Sequence, residues 1–577
     1  MSRYLITTED ESTWKFDRPV LFLGKWCLNE DRWAVWSSLD FSVVDSRSIE
    51  QALPDLYQQT QQLHARLSVD LASALNTYHD LSFPNRFWSV IIGPWLRSFC
   101  DNVILRWAYL NQAIHQSDIT ESYSTIDDSH LSNHPRNFLE YRDLLKCPSW
   151  NQYMYSKMWT LMTNPHFATH TTDQVNETNS LPRKLLANRT RVSRKRAILT
   201  DTYLPRMSQT KLAILMGSRP TRVRRIAAPT ATFDPEARSR LHFDEPSADL
   251  LHTIAREIVR DQIPTAYFEG LPELLQSASR LRLPDTPKLI FTSNRHLYDD
   301  VFNSWVAQAT ERGSAYVIGQ HGGVYGLSRF PSYAELHEAD VSDANITWGW
   351  GNSKKQVAGI CLTTVGRKYR PAAKATHLLI VCDHLWAHPR SLFFDISEQA
   401  GFLEYVTRCT IGLPARIRAN VLIRLNHAHA ETGSSQLEWW KTNAPTIAID
   451  YGLSGIRKVI HNSRLVVTTY NGTTFLETLN LNIPTIITWS SSYVQLRPES
   501  LPYFQQLQEA GIFHDNERSF VDHVTKYWGD IESWWASDIV QSARLMFCNQ
   551  YSRVQSHPLL FLRRTLKTVT NIEKHRP

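Results

Sequence analysis

The chain's 577 residues are 42% apolar and 20% charged, with a formal net charge of +6, a composition that suits roughly two to four folded domains and permits, without demanding, contact with phosphorylated ligands or anionic membranes. Its seven cysteines stand singly, with no CxxC pair, which excludes a zinc ribbon and fits reduced core thiols. The opening MSRYLITTEDESTW lacks the apolar core of a signal peptide, and no run reaches the roughly 20 apolar residues of a membrane span, so a cytoplasmic location is expected.

Two short apolar runs, Tyr4–Thr8 and Pro19–Gly24, read as strands. Residues 48–116 read as helical: Leu53, Leu56, Leu63, Leu67 and Leu71 recur at spacings near three and four, and a second amphipathic stretch, Trp88–Ile114, is broken only at Gly93 and Pro94. Residues 164–233 read as a basic connecting region. Between Arg183 and Arg225 there are 13 Lys or Arg against one acid, Asp201. This stretch reads either as a patch for phosphate, headgroup or nucleic acid or as a solvated connection with an embedded strand at Lys211–Met216. From Lys288 onward, strands and helices alternate. Strands are expected at Lys288–Thr292, Ala315–Gly319, Asn345–Trp348, His377–Cys382, Asn420–Leu425, Arg464–Thr468 and Thr485–Thr488, with helices at Asp299–Thr310, near Ile396–Thr410 and from Thr474. Such alternation implies parallel sheets. The fold class is therefore α/β, with two Rossmann-like lobes facing a cleft: an N-terminal lobe, 1–370, and a C-terminal lobe, 371–577, whose terminal helices pack back.

Ligands of open α/β sheets bind beyond the carboxyl ends of strands, and the chemistry-bearing residues cluster there. After Arg464–Thr468 come Thr468, Thr469, Tyr470, Asn471, Gly472, Thr473 and Thr474, then a helix start. Helix N–H groups and hydroxyls at such a place suit a phosphate, Gly472 admits close approach, and Glu477 can accept from ribose hydroxyls. The plainer alternative is a capping box between Thr474 and Glu477. After Ala315–Gly319 comes GQHGGVYG, holding Gln320, His321, Gly322, Gly323 and Tyr325; His321 reads as a general base or as a turn histidine. Glu335, Glu338, Asp340 and Asp343 follow; they read either as a source of a base, acid or nucleophile near His321, with Glu338 or Asp343 the candidate to assist it, or as a solvated acidic turn. Asn294, Arg295 and His296 end another strand and face the same cleft, and Arg424 ends the strand of the C-terminal lobe that suits a phosphate contact. There is no D-x-D pair, no Walker loop and no G-x-G-x-x-G, which argues against a metal-held diphosphate, a P-loop kinase and a typical dinucleotide enzyme. No cofactor or metal is expected.

RYLITTEDESTW, PVLFLGKWC, the GPWL run at Gly93, PKLIFTSN, IGQHGGVYG, the acidic run into ITWGWG and TTYNGTTFLETLNLNIPTII together resemble a bacterial family of transferases from O-antigen gene clusters, over about Tyr4 to Trp535. More distantly, the His-Gly of GQHGG and the Thr-rich grip are similar to features of teichoic-acid, sialyl- and Kdo-transferases. The resemblance implies a GT-B-like, metal-independent glycosyltransferase of surface-polysaccharide assembly, with a nucleotide-activated sugar as donor, foremost a CMP-linked ulosonic acid, and a glycan or lipid-linked acceptor. It also implies peripheral contact with the inner membrane and no nucleic-acid partner. Where relatives carry an acidic pair, this chain has Gln320-His321-Gly322. Three other readings are a CDP-dependent glycerol- or ribitol-phosphate transferase, a non-catalytic scaffold with the same fold, and nucleic-acid binding through Arg183–Arg225, which predicts steeply salt-dependent binding.

Overall fold

The computed structural model describes residues 2–28, 32–123, 133–163, 196–351, 353, 355–369, 372, 375–383, 385, 388–392, 399–427, 436–490 and 495–572. The first half of the basic region, 164–195, with the part of the expected basic patch that falls on it, lies outside them. Three parallel sheets carry the chain. The first, in the order β3-β2-β1-β4, comprises β1 (Arg3–Ile6), β2 (Val20–Phe22), β3 (Phe41–Val43) and β4 (Ile119–Ser122). The second runs β5-β6-β7-β8-β9: β5 (Ala197–Leu199), β6 (Leu289–Thr292), β7 (Ala315–Gly319), β8 (Ala344–Ile346) and β9 (Gln356–Val357). The third runs β12-β11-β10-β13-β14-β15: β10 (His377–Val381), β11 (Val421–Arg424), β12 (Ala448–Asp450), β13 (Ser463–Thr468), β14 (Thr485–Thr488) and β15 (Phe513–His514). The second and third sheets are the two Rossmann-like lobes of a GT-B-like α/β fold. The N-terminal region is more than helices, because it holds a small parallel sheet of its own.

Six helices position the cleft and its surroundings: α1 (Leu53–Tyr78), α2 (Asn85–Gln116), α3 (Arg206–Leu215), α4 (Tyr333–Val341), α5 (Thr473–Asn480) and α6 (Pro558–Ile572). The leucine spacing of α1 buries Leu56, Leu63, Leu67, Leu71 and Leu75 against α2. Helix α2 passes through Gly93 and Pro94 without interruption, against the expected break. Pro94 removes one helical N–H, and near-total burial of the surrounding turns holds the helix through the gap. At Gly93 a Cβ would lie 2.6 Å from the His337 ring of α4, so this glycine sets how closely the two helices pack.

The segment Lys211–Met216 is not the expected strand. It lies in α3, where only Leu212 and Ala213 are buried while Ile214 and Leu215 face solvent. Its five apolar residues in a row mimic a buried strand, but the strand of this region is β5, three residues long and upstream.

Successive residues of the second sheet point to opposite faces. Ile198, Ile290, Tyr316 and Ile318 join the core shared with α1 and α2. Leu199, Phe291 and Val317 join the core that continues into the C-terminal lobe and into Leu562 and Leu566 of α6. Helix α6 thus packs back onto α3 and β7. The middle sheet is clamped from both sides, so its carboxyl edge is a rigid platform.

Candidate functional site

The carboxyl ends of β7 and β13 meet at two glycines. A Cβ on Gly323 would sit 2.1 Å from the carbonyl carbon of Gly472, so the two loops touch backbone to backbone. Beside this contact the Gly323 N–H donates to Thr473 Oγ1 at 2.9 Å, and Asn471 Nδ2 donates to Ser328 Oγ at 3.0 Å. Ser328 pairs with Leu496 in an antiparallel bridge, and Arg497 of the C-terminal lobe reaches Glu335 of α4 at 2.6 Å. The lobes therefore meet here along a seam, with the histidine loop on one side and the threonine loop on the other.

Four groups gather on the N-terminal side. Glu338 projects from α4 and is 2% exposed. Its Oε1 lies 3.2 Å from His321 Nδ1, 3.1 Å from His296 Nε2 and 2.9 Å from the Tyr325 hydroxyl. The Tyr325 hydroxyl also lies 3.1 Å from His321 Nδ1 and 3.5 Å from Nε2. Burial pushes the Glu338 carboxyl up, but the hydrogen bonds from His296 and His321 more than offset it and hold it below its ordinary value. Burial pushes His296 down and Tyr325 well up. A neutral tyrosine, a largely neutral His296 and an ionised Glu338 therefore surround Nδ1 of His321, whose side chain keeps 18% exposure.

Gln320 belongs to the support and is not a substrate contact. Its Nε2 donates to Gly322 O at 2.8 Å, and its Oε1 accepts from Trp348 N at 2.8 Å and Trp350 Nε1 at 2.9 Å, so every polar atom is used and the residue is buried. Val324 has φ +67°, a conformation costly for a β-branched residue, and this marks the histidine loop as strained. Nothing in the residue types of GQHGGVYG singles out that position.

The four carboxylates separate by partner. Glu335 pairs with Arg497, Asp340 with Arg97, and Asp343 with Arg86 at 2.8 Å and the Tyr316 N–H at 2.8 Å. Asp343 is thus consumed in bracing β7 against α2 and does not meet His321, contrary to its expected role as an assisting acid or base. Arg295 also departs from expectation. It is buried and bound to Asp299 at 2.6 Å, Asp201 at 2.9 Å and two carbonyls, so its charge is balanced within the protein, although it also lines the cavity described below. Arg424 is in the same condition, paired with Asp450 and donating to Ser454 O at 2.6 Å.

On the C-terminal side, Gly472 is the N-cap of α5 and no side chain caps the helix. The expected Thr474–Glu477 capping box is therefore absent, because the helix begins at Thr473 and puts Thr474 inside its first turn instead of at the cap. The first N–H groups of α5 therefore have neither an intrahelical partner nor a side-chain cap at the N-cap. Thr468 Oγ1 and Asn471 Oδ1 are buried without a partner among the described residues. Tyr470 lies against Gly472, where a Cβ would meet its ring at 2.1 Å, and its hydroxyl bonds Thr474. Glu477 lies 3.7 Å from Arg457.

Asn294 Nδ2 reaches the Tyr203 hydroxyl at 3.3 Å. Tyr203 has φ +62° and Asp201 has φ +46°, and the Tyr203 ring lies 5.9 Å from that of His321. These residues open on a polar cavity of about 840 Å³ lined also by Arg206, Gln209 and Arg222. Sequence reasoning misses this wall, since β5, which places it, is three residues inside a basic stretch. Among the described residues no group of three His, Cys, Asp or Glu side chains is set to hold a metal.

A family model described as LIC12162 family transferase matches residues 3–566. No curated protein matches the chain in sequence. Among solved structures it is similar to TarM at 11% identity and TM-score 0.33, over 52% of this chain and 58% of that one. It is similar to MurG of Acinetobacter baumannii at 11% identity and TM-score 0.30, over 53% and 79%. It is also similar to an O-GlcNAc transferase of Thermobaculum terrenum at 12% identity and TM-score 0.34, over 91% and 99%.

Proposed function

The chain belongs to the LIC12162 family of transferases, and from that premise we propose that it is a glycosyltransferase moving a sugar from a nucleotide donor, foremost a CMP-linked ulosonic acid, to a glycan or lipid-linked acceptor of bacterial surface polysaccharide. The observation that carries the reading is the His321–Glu338 pair, 3.2 Å apart, set across the seam from the uncapped start of α5. An ionised Glu338 accepts from Nδ1–H, which leaves the Nε2 lone pair to take the proton of an acceptor hydroxyl. The acceptor oxygen then bonds the anomeric carbon as the bond from that carbon to the phosphate oxygen breaks, and the electron pair leaves with the nucleotide. The N–H groups of α5 and the Thr468 and Thr474 hydroxyls stabilise that departing charge, a role that needs no metal. In this reading Glu477 and Asn471 accept from donor hydroxyls. Glu338 lies behind the imidazole and is not presented as a nucleophile, which favours direct displacement with inversion. The cavity beside Tyr203 and Asn294 is the acceptor's place in this reading.

Thermal-shift measurements with CMP, CDP, UDP, GDP and ADP test the donor side. A ligand at about 100 times its Kd adds roughly 2.7 kcal/mol to stability, and CMP is expected to give the largest shift. A shift with UDP or GDP alone overturns the CMP assignment; no shift with any nucleotide overturns the donor site itself. Phosphate retained in the product would replace sugar transfer by polyol-phosphate transfer.

A further inference from the structure

The described half of the basic region presents a feature that sugar transfer does not use. In α3, Met207, Lys211, Ile214 and Leu215 recur at i, i+4, i+7 and i+8, one stripe of the helix. That stripe faces solvent: Met207 is 69% exposed and Ile214 61%. Large apolar side chains on the outer stripe of a helix gain nothing from water and mark a contact surface. The surface continues onto α6, which packs on α3, where Arg563 donates to Leu215 O at 2.9 Å and Leu560 is 43% exposed. The two chain segments that carry this surface hold charge of one sign. Between Tyr203 and Phe233 there are six Lys or Arg and no Asp or Glu, and between Arg553 and Ile572 there are four and none. Lys211, Arg219 and Arg564 are all exposed.

We propose that the joined outer faces of α3 and α6 dock this protein onto an anionic lipid bilayer, with Met207, Ile214 and Leu560 entering the interface and Lys211, Arg219 and Arg564 meeting lipid phosphates. Interleaved cations and exposed aliphatic side chains are the pattern of an interfacial helix. A nucleic-acid surface would use the cations alone or with stacked aromatic rings. The surface borders the cavity through Arg206 and Arg222, both of which line it; if that cavity is the acceptor's place, docking brings its mouth to the headgroup layer, where a lipid-linked acceptor presents its sugar.

Sedimentation of the full chain with vesicles tests this. Vesicles of phosphatidylcholine containing phosphatidylglycerol are expected to pellet the protein, and phosphatidylcholine alone is not. Each neutralised cation is expected to weaken binding roughly fivefold, so the triple variant Lys211→Gln, Arg219→Gln, Arg564→Gln should lose about two orders of magnitude. Met207→Ser with Ile214→Ser should weaken it as well, at unchanged melting temperature. No binding to anionic vesicles overturns the proposal, as does binding that neither variant set weakens. Binding that falls with the charge variant alone, and is matched on duplex DNA, overturns it in favour of a polyanion surface. Nucleotide-induced thermal shifts are read on the same variants; vesicle binding lost while those shifts persist separates failure of the membrane surface from failure of the donor site.

Discussion

At His321 the tautomer follows from the partner of each ring nitrogen. Glu338 is ionised, so it fixes the proton on Nδ1 and, in the proposed reaction, would stabilise the imidazolium formed when Nε2 takes the acceptor's proton. His321→Ala and Glu338→Gln are each expected to lower kcat by about 10²–10⁴-fold, and the double variant to lower it little further, because groups acting as a unit are not additive; single-turnover rates measure this. Asp343→Asn, which loosens the Arg86 brace, should lower the melting temperature and leave the rate on bound substrate nearly unchanged. The Glu338 carboxyl titrates below its unfolded value. Its contribution to stability is therefore complete above the unfolded carboxyl pKa, about 4.3, and is lost as pH falls through the lower folded value. That His321 and Glu338 are paired was half legible in the sequence. A histidine between glycines at a strand end stands out, but which of four nearby carboxylates meets it depends on helix phase. Glu335 and Glu338 share one face of α4, which an acidic-turn reading of the same residues hides.

Elements set the separation between these groups. Gly93 of α2 receives the His337 ring, and His337 adjoins Glu338 in sequence. Gly93→Leu is thus expected to push α4 outward and cut activity at least tenfold from a distance, with a crystal structure or the His321 NMR resonances showing the displaced pair. At the seam, Gly323→Ala must separate the two loops, since the clash is with backbone. Thr473→Val removes the acceptor for the Gly323 N–H, and an unpaired buried donor costs about 1–3 kcal/mol; denaturant melts give the figure. The loops themselves were legible because each follows a buried strand with a clear apolar run. The strands β3, β4 and β5 were not. Each has three or four residues, too few for alternation to emerge, and their pairing with distant partners in a parallel sheet fixes them. Arg295 and Arg424 show the complementary limit: their residue type and strand-end position suit an anion, and only the folded chain reveals Asp299 and Asp450 already holding them.

Across the whole molecule, the N-terminal unit is tied to the C-terminal lobe by the segment after β10. Ser391 donates to Asp101 of α2 at 2.8 Å, Arg390 O accepts from Asn102, and His388 lies 3.1 Å from Glu9 beyond β1. Burial raises Asp101 to about 7. An acid whose folded pKa lies above its unfolded value, about 3.9, favours the folded state when protonated, so this contribution falls as pH rises between those values and is gone above 7. The melting temperature should decline over that window, and Asp101→Asn should flatten the decline. The seam where the lobes touch also has a kinetic meaning. Thr473 has one hydroxyl proton, and its oxygen already accepts from the loop that carries His321. A donor phosphate that draws on that proton polarises the hydroxyl and strengthens its bond to Gly323. In the proposed reaction, filling the nucleotide site would therefore steady His321 before an acceptor arrives. Turnover should then follow a compulsory order, donor first, with the released nucleotide competing against the donor and acting non-competitively toward the acceptor.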